Sequence, residues 1–200
     1  LKMGNIFKIF LFTSILVILI GCEKQTIKTS CDELLEQAYE KSSLNNFEKN
    51  KFKDLFLNRY PEFDSMFEEA AKETGIEKNL LAAISFQESQ WDPRAQSNMG
   101  VRGMMMVTLE TAALVGVEKR LNPEQNIKGG AKYFAMLKDK NIVGETDADQ
   151  LSTVLASYNL GPTNINKIAN QINSDVQTVT WPEIREKLKV IKGSELNLVD

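Results

Sequence analysis

The chain has 200 residues, 42% of them hydrophobic, enough to bury the core of one domain and leave a short extra segment. Its formal net charge of -3, with a pI near 5.3, makes no field that would gather nucleic acid or anionic headgroups, so no nucleic-acid partner is expected. Histidine is absent, which excludes Ser-His and Cys-His nucleophile pairs and the usual zinc and haem ligand sets. Catalysis would fall to carboxylates, hydroxyls or lysines, with no metal and no cofactor indicated.

Lys2 and Lys8 flank the start of an apolar run, Ile9 to Ile20, interrupted by Thr13 and Ser14. The run is short of the roughly 20 residues that a membrane-spanning helix needs, and small residues follow it, as at the cleavage site of a secretion signal. Residues 1–21 read as that signal, with an uncleaved signal anchor as the alternative. Leu19-Ile20-Gly21-Cys22 resembles the lipobox of bacterial lipoproteins, which implies cleavage before Cys22 and acylation of that cysteine. Several acyl chains on one residue meet the requirement for stable membrane anchoring. Glu23 stands where Asp commonly retains lipoproteins in the inner membrane, so the resemblance favours the outer membrane, facing an oxidising compartment. Cys31 then has no partner cysteine, and nothing around it suggests a nucleophile or a metal site.

From residue 22 to residue 60 the chain is rich in Lys, Glu, Asn and Ser, with scattered aromatics at Tyr39, Phe47, Phe52 and Phe56. It reads as a tether in which Leu34, Leu35, Ala38 and Tyr39 share the face of a weak helix. The packed domain is expected over residues 61–200. Phe63, Met66, Phe67, Ala70 and Ala71 recur at the helical period and end at Gly75, a C′ glycine. Leu80 to Gln87 predicts a second helix, apolar on nearly every side and stopped by Asp92-Pro93. Thr108 caps a third that runs to Gly116. Asn122-Pro123-Glu124-Gln125 supplies a cap, an N1 proline and an N3 glutamine for a fourth, with Ile127, Ala131, Phe134 and Leu137 inward. A fifth spans Leu151 to Asn159 and ends at Gly161, a sixth spans Thr163 to Ile172, and Thr180 with Pro182 opens the last. Between the second and third, Ser97 to Met106 holds two glycines and no helical cap, which predicts an irregular loop or small hairpin. The fold class is mainly α: a helical bundle with a substrate cleft and at most a very small sheet.

One acid closes the second helix. A carboxyl group at Glu88, beside Ile84, Phe86 and Trp91, would be desolvated and kept protonated near neutrality, the condition for a general acid. The bland alternative is a solvent-facing helix-end glutamate. Glycosidases usually need a second carboxylate, but Asp92, four residues on, precedes a proline and reads better as a turn residue. Single-acid catalysis remains open to a substrate that supplies its own nucleophile, such as an N-acetyl group at C2.

Glu88-Ser89, Gly103-Met104-Met105-Met106 and Ala156-Ser157-Tyr158-Asn159-Leu160-Gly161, in this order and spacing, resemble the three signature motifs of lytic transglycosylases with the goose-lysozyme-like fold. "GIEKNLLAAISFQESQWDP", "GVRGMMMVT" and "LNPEQNIKGGAKY" most resemble the catalytic domain of the membrane-bound F type, over roughly Pro61 to Gly161 and more loosely to Ile191. The resemblance implies an α+β, lysozyme-like fold and assigns roles. Glu88 would be acid and then base, and Tyr158 would hydrogen-bond near it and orient it, with Asn159 supporting the groove. Ser97 would lie near the N-acetyl group of a bound sugar, Ser89 would follow the acid, and the loop at Gly103, Met104, Met105 and Met106 would wall the cleft. On composition alone the methionines are core filler. Met106 replaces the commoner Gln of this motif, as in the F-type branch. The large solute-binding-like domain of that branch has no room in the tether, and the chain stops soon after Lys192-Gly193, so a minimal or truncated version is expected.

The implied activity is cleavage of the β-1,4 bond between N-acetylmuramic acid and N-acetylglucosamine in peptidoglycan, with a 1,6-anhydro product, by a monomeric enzyme held on the membrane by its lipid. Two alternatives stand beside it: a muramidase that uses water, and a lipoprotein that binds glycan without cutting it.

Overall fold

The computed structural model describes residues 31–191. The signal, the lipidation site at Cys22 and Glu23 lie outside the described residues, as does Lys192-Gly193. The chain divides into two compact units, residues 1–49 and residues 50–200. Among the described residues no helix is long and apolar enough to cross a membrane.

In the first unit, helix α1 (Cys31–Lys41) covers the stretch where the weak amphipathic helix is expected. Tyr39 is buried, its hydroxyl donates to the Lys49 carbonyl at 3.1 Å, and the Lys49 ammonium stands 5.8 Å from the ring centroid. Helix α2 (Asn46–Asn58) starts on a reciprocal cap: the Glu48 amide donates to Asn45 Oδ1 and the Asn45 amide to Glu48 Oε2. Two otherwise orphaned donors are satisfied at once.

In the second unit the rest of α2 is core, with Leu55 buried. Phe52, Phe56 and Tyr60 follow at intervals of four, and their rings stack at 5.9 Å and 15°, then 5.5 Å and 8°. The boundary expected at Pro61 therefore cuts through packed structure, because a helical stripe of aromatics is hidden among polar neighbours that make the segment resemble a tether. Helix α3 (Asp64–Thr74) ends at Gly75, whose amide donates to the Ala71 carbonyl. It is followed by α4 (Lys78–Ser89) and α5 (Leu109–Val115). Thr108 caps α5 by accepting from the Thr111 amide at 2.9 Å.

Helix α6 (Pro123–Lys140) starts where its cap and proline predict, with Asn122 Oδ1 accepting from the Gln125 amide. Gln125 does not turn back to close a capping box. Its Oε1 accepts from the amides of Glu118 and Lys119, fastening the preceding loop. Helix α7 (Asp147–Leu160) begins before the expected Leu151, because Thr146 and Asp149 form a full capping box upstream of the apolar pattern. Helix α8 (Pro162–Ile172) and α9 (Trp181–Val190) follow, α9 on a Thr180/Glu183 capping box.

The main core joins α3, α4, α6 and α7: Phe67, Leu81, Ile127, Ala131 and Phe134 are fully buried. Each large side chain removed from water contributes about 1.5–3 kcal/mol. A smaller cluster of Val143, Ile168, Ala169, Val179 and Ile184 binds α8 and α9. The described residues contain no strand. Two isolated antiparallel bridges, Gln96 with Arg102 and Arg102 with Val107, shape the segment between α4 and α5. The expected mainly helical class with a hairpin-like loop is what forms.

Candidate active site

Leu81, Ile84, Ser85 and Glu88 recur at the helical period and occupy one face of α4. The first three are buried and hold the helix down, which leaves Glu88, one turn on, half-buried. Among the described residues its carboxylate has no ion pair and no hydrogen bond. Burial alone acts on it and raises its pKa above the ordinary carboxylate value, since nothing nearby compensates the lost hydration of the charged form. The desolvation expected from Phe86 and Trp91 has another source. Phe86, two residues before Glu88, faces the other side of the helix, where it packs on Trp91 with centroids 4.8 Å apart.

The helix ends abruptly after Ser89. Gln90 and Trp91 adopt left-handed backbone with φ of 55° and 59°, a conformation costing roughly 1–2 kcal/mol for a residue with a Cβ. Arg59 donates to the Gln90 carbonyl at 3.1 Å, and the Trp91 indole N–H donates to the Ala82 carbonyl at 2.8 Å. These contacts hold the reversal, so the helix stops before Asp92-Pro93. Asp92 Oδ1 accepts from the Arg94 amide at 2.9 Å, a turn role with no part beside Glu88.

The reversal delivers the chain to the glycine-methionine loop, whose backbone is held by three helices. From α4, the hydroxyls of Ser85 and Ser89 donate to the Met104 carbonyl at 3.0 and 2.8 Å. From α6, Asn126 Oδ1 accepts from the Met105 amide at 2.7 Å, while its Nδ2 donates to the carbonyls of Arg102 and Arg120. From α7, the Tyr158 hydroxyl donates to the Met105 carbonyl at 2.7 Å. Met104 and Met105 are fully buried, so they anchor the loop in the core and do not face a sugar. Met106, half-buried with φ of 46°, is the methionine of the three that reaches the surface. Ser89 supports the loop, its hydrogen committed to backbone oxygen.

Gly103 is essential to this arrangement. Its φ is +80°, and a Cβ there would lie 2.3 Å from the Arg120 carbonyl oxygen and 2.4 Å from Asn126 Nδ2. Ser97 shapes the tip of the hairpin: its Oγ accepts from the Val101 amide at 3.2 Å, and the Arg120 guanidinium donates to the Gly100 carbonyl at 2.7 Å. Asn159 is exposed, and its side chain carries no hydrogen bond among the described residues.

Tyr158 lies close enough to Glu88 to feel its charge. Burial first, then the negative charge of Glu88 and then Tyr133, push the phenol pKa far above its usual value, so it stays a neutral donor. Its ring packs 5.6 Å from Tyr133 and 6.2 Å from Phe134. Tyr133 has its own phenol pushed up by burial and by Glu110. The sequence motifs locate Glu88, Tyr158 and the loop, but they miss Ser85, Asn126, Arg120 and Tyr133. A signal existed for Asn126: it is the polar residue beside Ile127 on the inner side of α6, and it is fully buried. Among the described residues no group of three His, Cys, Asp or Glu side chains gathers to hold a metal ion.

The arrangement is a protonatable, unpaired carboxyl beside a phenol, next to a loop whose backbone is hydrogen-bonded from three helices. The family model described as "Transglycosylase SLT domain" matches residues 65–178, a span that takes in Glu88, the loop and Tyr158. Among curated relatives, the chain is 42% identical over 137 residues to a membrane-bound lytic murein transglycosylase F 1 of Alkalilimnicola ehrlichii, covering 67% of this chain and 27% of that protein. It is 38% identical over 141 residues to a membrane-bound lytic murein transglycosylase F of Marinobacter nauticus, covering 69% of this chain and 28% of that one. The chain thus spans little more than a quarter of the length of these relatives. A solved structure, the 70 kDa soluble lytic transglycosylase of Escherichia coli, matches with a TM-score of 0.46 and 22% identity over 64% of this chain and 22% of that one. On the family match across residues 65–178, this chain belongs to the transglycosylase SLT domain family.

Proposed function

We propose that this protein is a peptidoglycan lytic transglycosylase with Glu88 as its single acid and base. The observation that carries the reading is the half-buried Glu88 carboxyl, unpaired and raised in pKa, close enough to Tyr158 for its charge to act on the phenol. Glu88 gives its proton to the glycosidic oxygen as the bond from N-acetylmuramic acid C1 breaks. The substrate's C2 acetamide oxygen bonds to C1 and takes up the positive charge. Glu88, now ionised, removes the proton of the C6 hydroxyl, whose oxygen displaces the acetamide at C1 and closes the 1,6-anhydro ring. No water is consumed, and the proton returns to Glu88. Tyr158 orients the loop and the acid, Met106 offers a soft surface to a sugar face, and Ser97 and Asn159 border the groove.

Relatives named membrane-bound support a membrane location. In this reading Cys22 carries the lipid, the segment after it tethers a monomeric enzyme, and the periplasmic face of the outer membrane is its place.

The test is incubation of the full chain with purified peptidoglycan, with Glu88→Gln in parallel, and mass analysis of released muropeptides. Products lighter by one water than hydrolysis gives, absent in the variant, are expected. Full-mass products would make the protein a muramidase, and retention of glycan without products would make it a binding lipoprotein. Labelled fatty acid should enter the parent and not Cys22→Ala.

A further inference from the structure

Helix α4 has a second working face. Asn79, Ala83, Phe86 and Gln87 lie opposite the face that carries Glu88. They border a cavity of about 600 Å³ that shares no residue with the glycine-methionine loop. Its wall is the parallel ring ladder of Phe52, Phe56 and Tyr60, and Trp91 closes it, tilted 49° to Phe56 and 47° to Tyr60. Phe56 remains 39% exposed, so a ring of the ladder is presented to whatever enters.

The polar groups on the rim indicate the kind of occupant. Asn79 and Gln87 are exposed neutral amides, and neither has a hydrogen-bond partner among the described residues. The two charged groups neutralise each other: Lys78 Nζ is 2.9 Å from Asp64 Oδ1, which also accepts from the Tyr60 hydroxyl at 2.6 Å. An anionic headgroup or a charged peptide finds no free counter-ion there. A pyranose ring fits this chemistry. Its C–H bonds carry a slight positive charge that favours the negative faces of aromatic rings, while its hydroxyl and acetamide groups pair with side-chain amides. A largely apolar cavity with a few convergent polar groups is the usual form of a small-ligand site.

We propose that this aromatic cavity is a second carbohydrate-binding site, which holds an N-acetylated sugar of the glycan strand on the side of α4 away from the acid. The proposal rests on the glycan substrate proposed above and deepens it. The site keeps the enzyme on an insoluble polymer between cuts, since a strand released from the cleft remains held, and rebinding is then an event within one complex.

The test measures retention of the full chain on insoluble peptidoglycan in a Glu88→Gln background, where nothing is cut. Phe56→Ala and the double variant Asn79→Ala/Gln87→Ala should each weaken retention by about fivefold, the scale of one ring or amide contact. Phe56→Trp should retain the parent value and Phe56→Leu should not, which separates stacking on a sugar from general apolar contact. With Glu88 intact, the same cavity variants should slow solubilisation of the polymer and leave turnover of a short soluble glycan unchanged. Retention equal to the parent in the folded amide double variant, or full retention by Phe56→Leu, would overturn the assignment. Cavity-dependent retention without any product from the Glu88 form would sink the transglycosylase reading and leave this site standing. Normal products with cavity-independent retention would do the reverse.

Discussion

The Tyr158 hydroxyl donates to the Met105 carbonyl at 2.7 Å, joining residues 53 positions apart. The phenol expected to hydrogen-bond near the acid binds the loop, close enough to Glu88 to be reached by its charge. Tyr158→Phe leaves a buried carbonyl without its donor, at a cost of about 1–3 kcal/mol. Urea unfolding should register that loss. Product release should fall by about tenfold or more, because loosening the loop also disturbs the site geometry. A variant with parental stability would show that the Met105 carbonyl finds another donor.

Glu88→Gln keeps the shape and removes the proton. Loss of a general acid costs roughly 10²–10⁴ in rate, so muropeptide release should drop by at least the lower factor. The same variant reports the pKa through stability. Burial raises the folded-state value above the unfolded one, so the native state binds this proton more tightly. Its contribution is complete below the unfolded carboxylate range and is lost as pH rises through the folded value. Glu88→Gln should therefore melt higher than the parent at neutral pH, with the gap closing on acidification. A gap independent of pH would show that the carboxyl titrates normally.

Asn126 joins three strangers to its helix: the Met105 amide and the carbonyls of Arg102 and Arg120. Asn126→Ala deprives all three at once and should cost about 3–5 kcal/mol. Asn126→Asp keeps the acceptor for Met105 but sets a carboxylate against two carbonyl oxygens in a buried place, so it should be no milder. Denaturant midpoints of the two variants decide this. An aspartate variant as stable as the parent would mean that the two carbonyls are wetted.

Gly103 and Gly116 share a left-handed backbone, with φ of +80° and +76°, and differ in surroundings. A Cβ at Gly116 meets nothing within 4 Å, so Gly116→Ala should cost about 1 kcal/mol, the conformational penalty alone. At Gly103 the same Cβ would collide with the Arg120 carbonyl and Asn126. Gly103→Ala should cost about 3 kcal/mol or more and abolish turnover. Paired melting curves would show the difference, and similar shifts would mean that the loop can move aside.

Much of this molecule is local and was legible as such. The Thr108 and Asn122 caps, the stops at Gly75 and Gly116, and the buried stripe through Phe63 and Phe67 follow from helical period and terminal hydrogen bonding, which involve residues within a few positions of one another. The start of α7 does not follow from the apolar period, because the Thr146/Asp149 box precedes the pattern that marks the helix. The end of α4 does not follow from local signals, because two non-glycine residues hold a left-handed turn that the Arg59 and Trp91 contacts stabilise. The stripe of Phe52, Phe56 and Tyr60 is masked in the sequence by its polar surroundings, although its spacing is helical.

By itself the sequence determined where most helices of the residue 61–191 segment lie, which acid closes α4 and which three motifs accompany it, because periodicity, caps and motif order are properties of neighbouring residues. Tertiary structure alone decided that Met104 and Met105 are core, that Ser89 and Tyr158 serve the loop backbone, and that Asn126 and Arg120 secure it. A backbone amide or carbonyl in a loop carries no side-chain label of its partner. Its hydrogen bond goes to whichever distant group packing brings within reach, and that is settled only when α4, α6 and α7 close around one core.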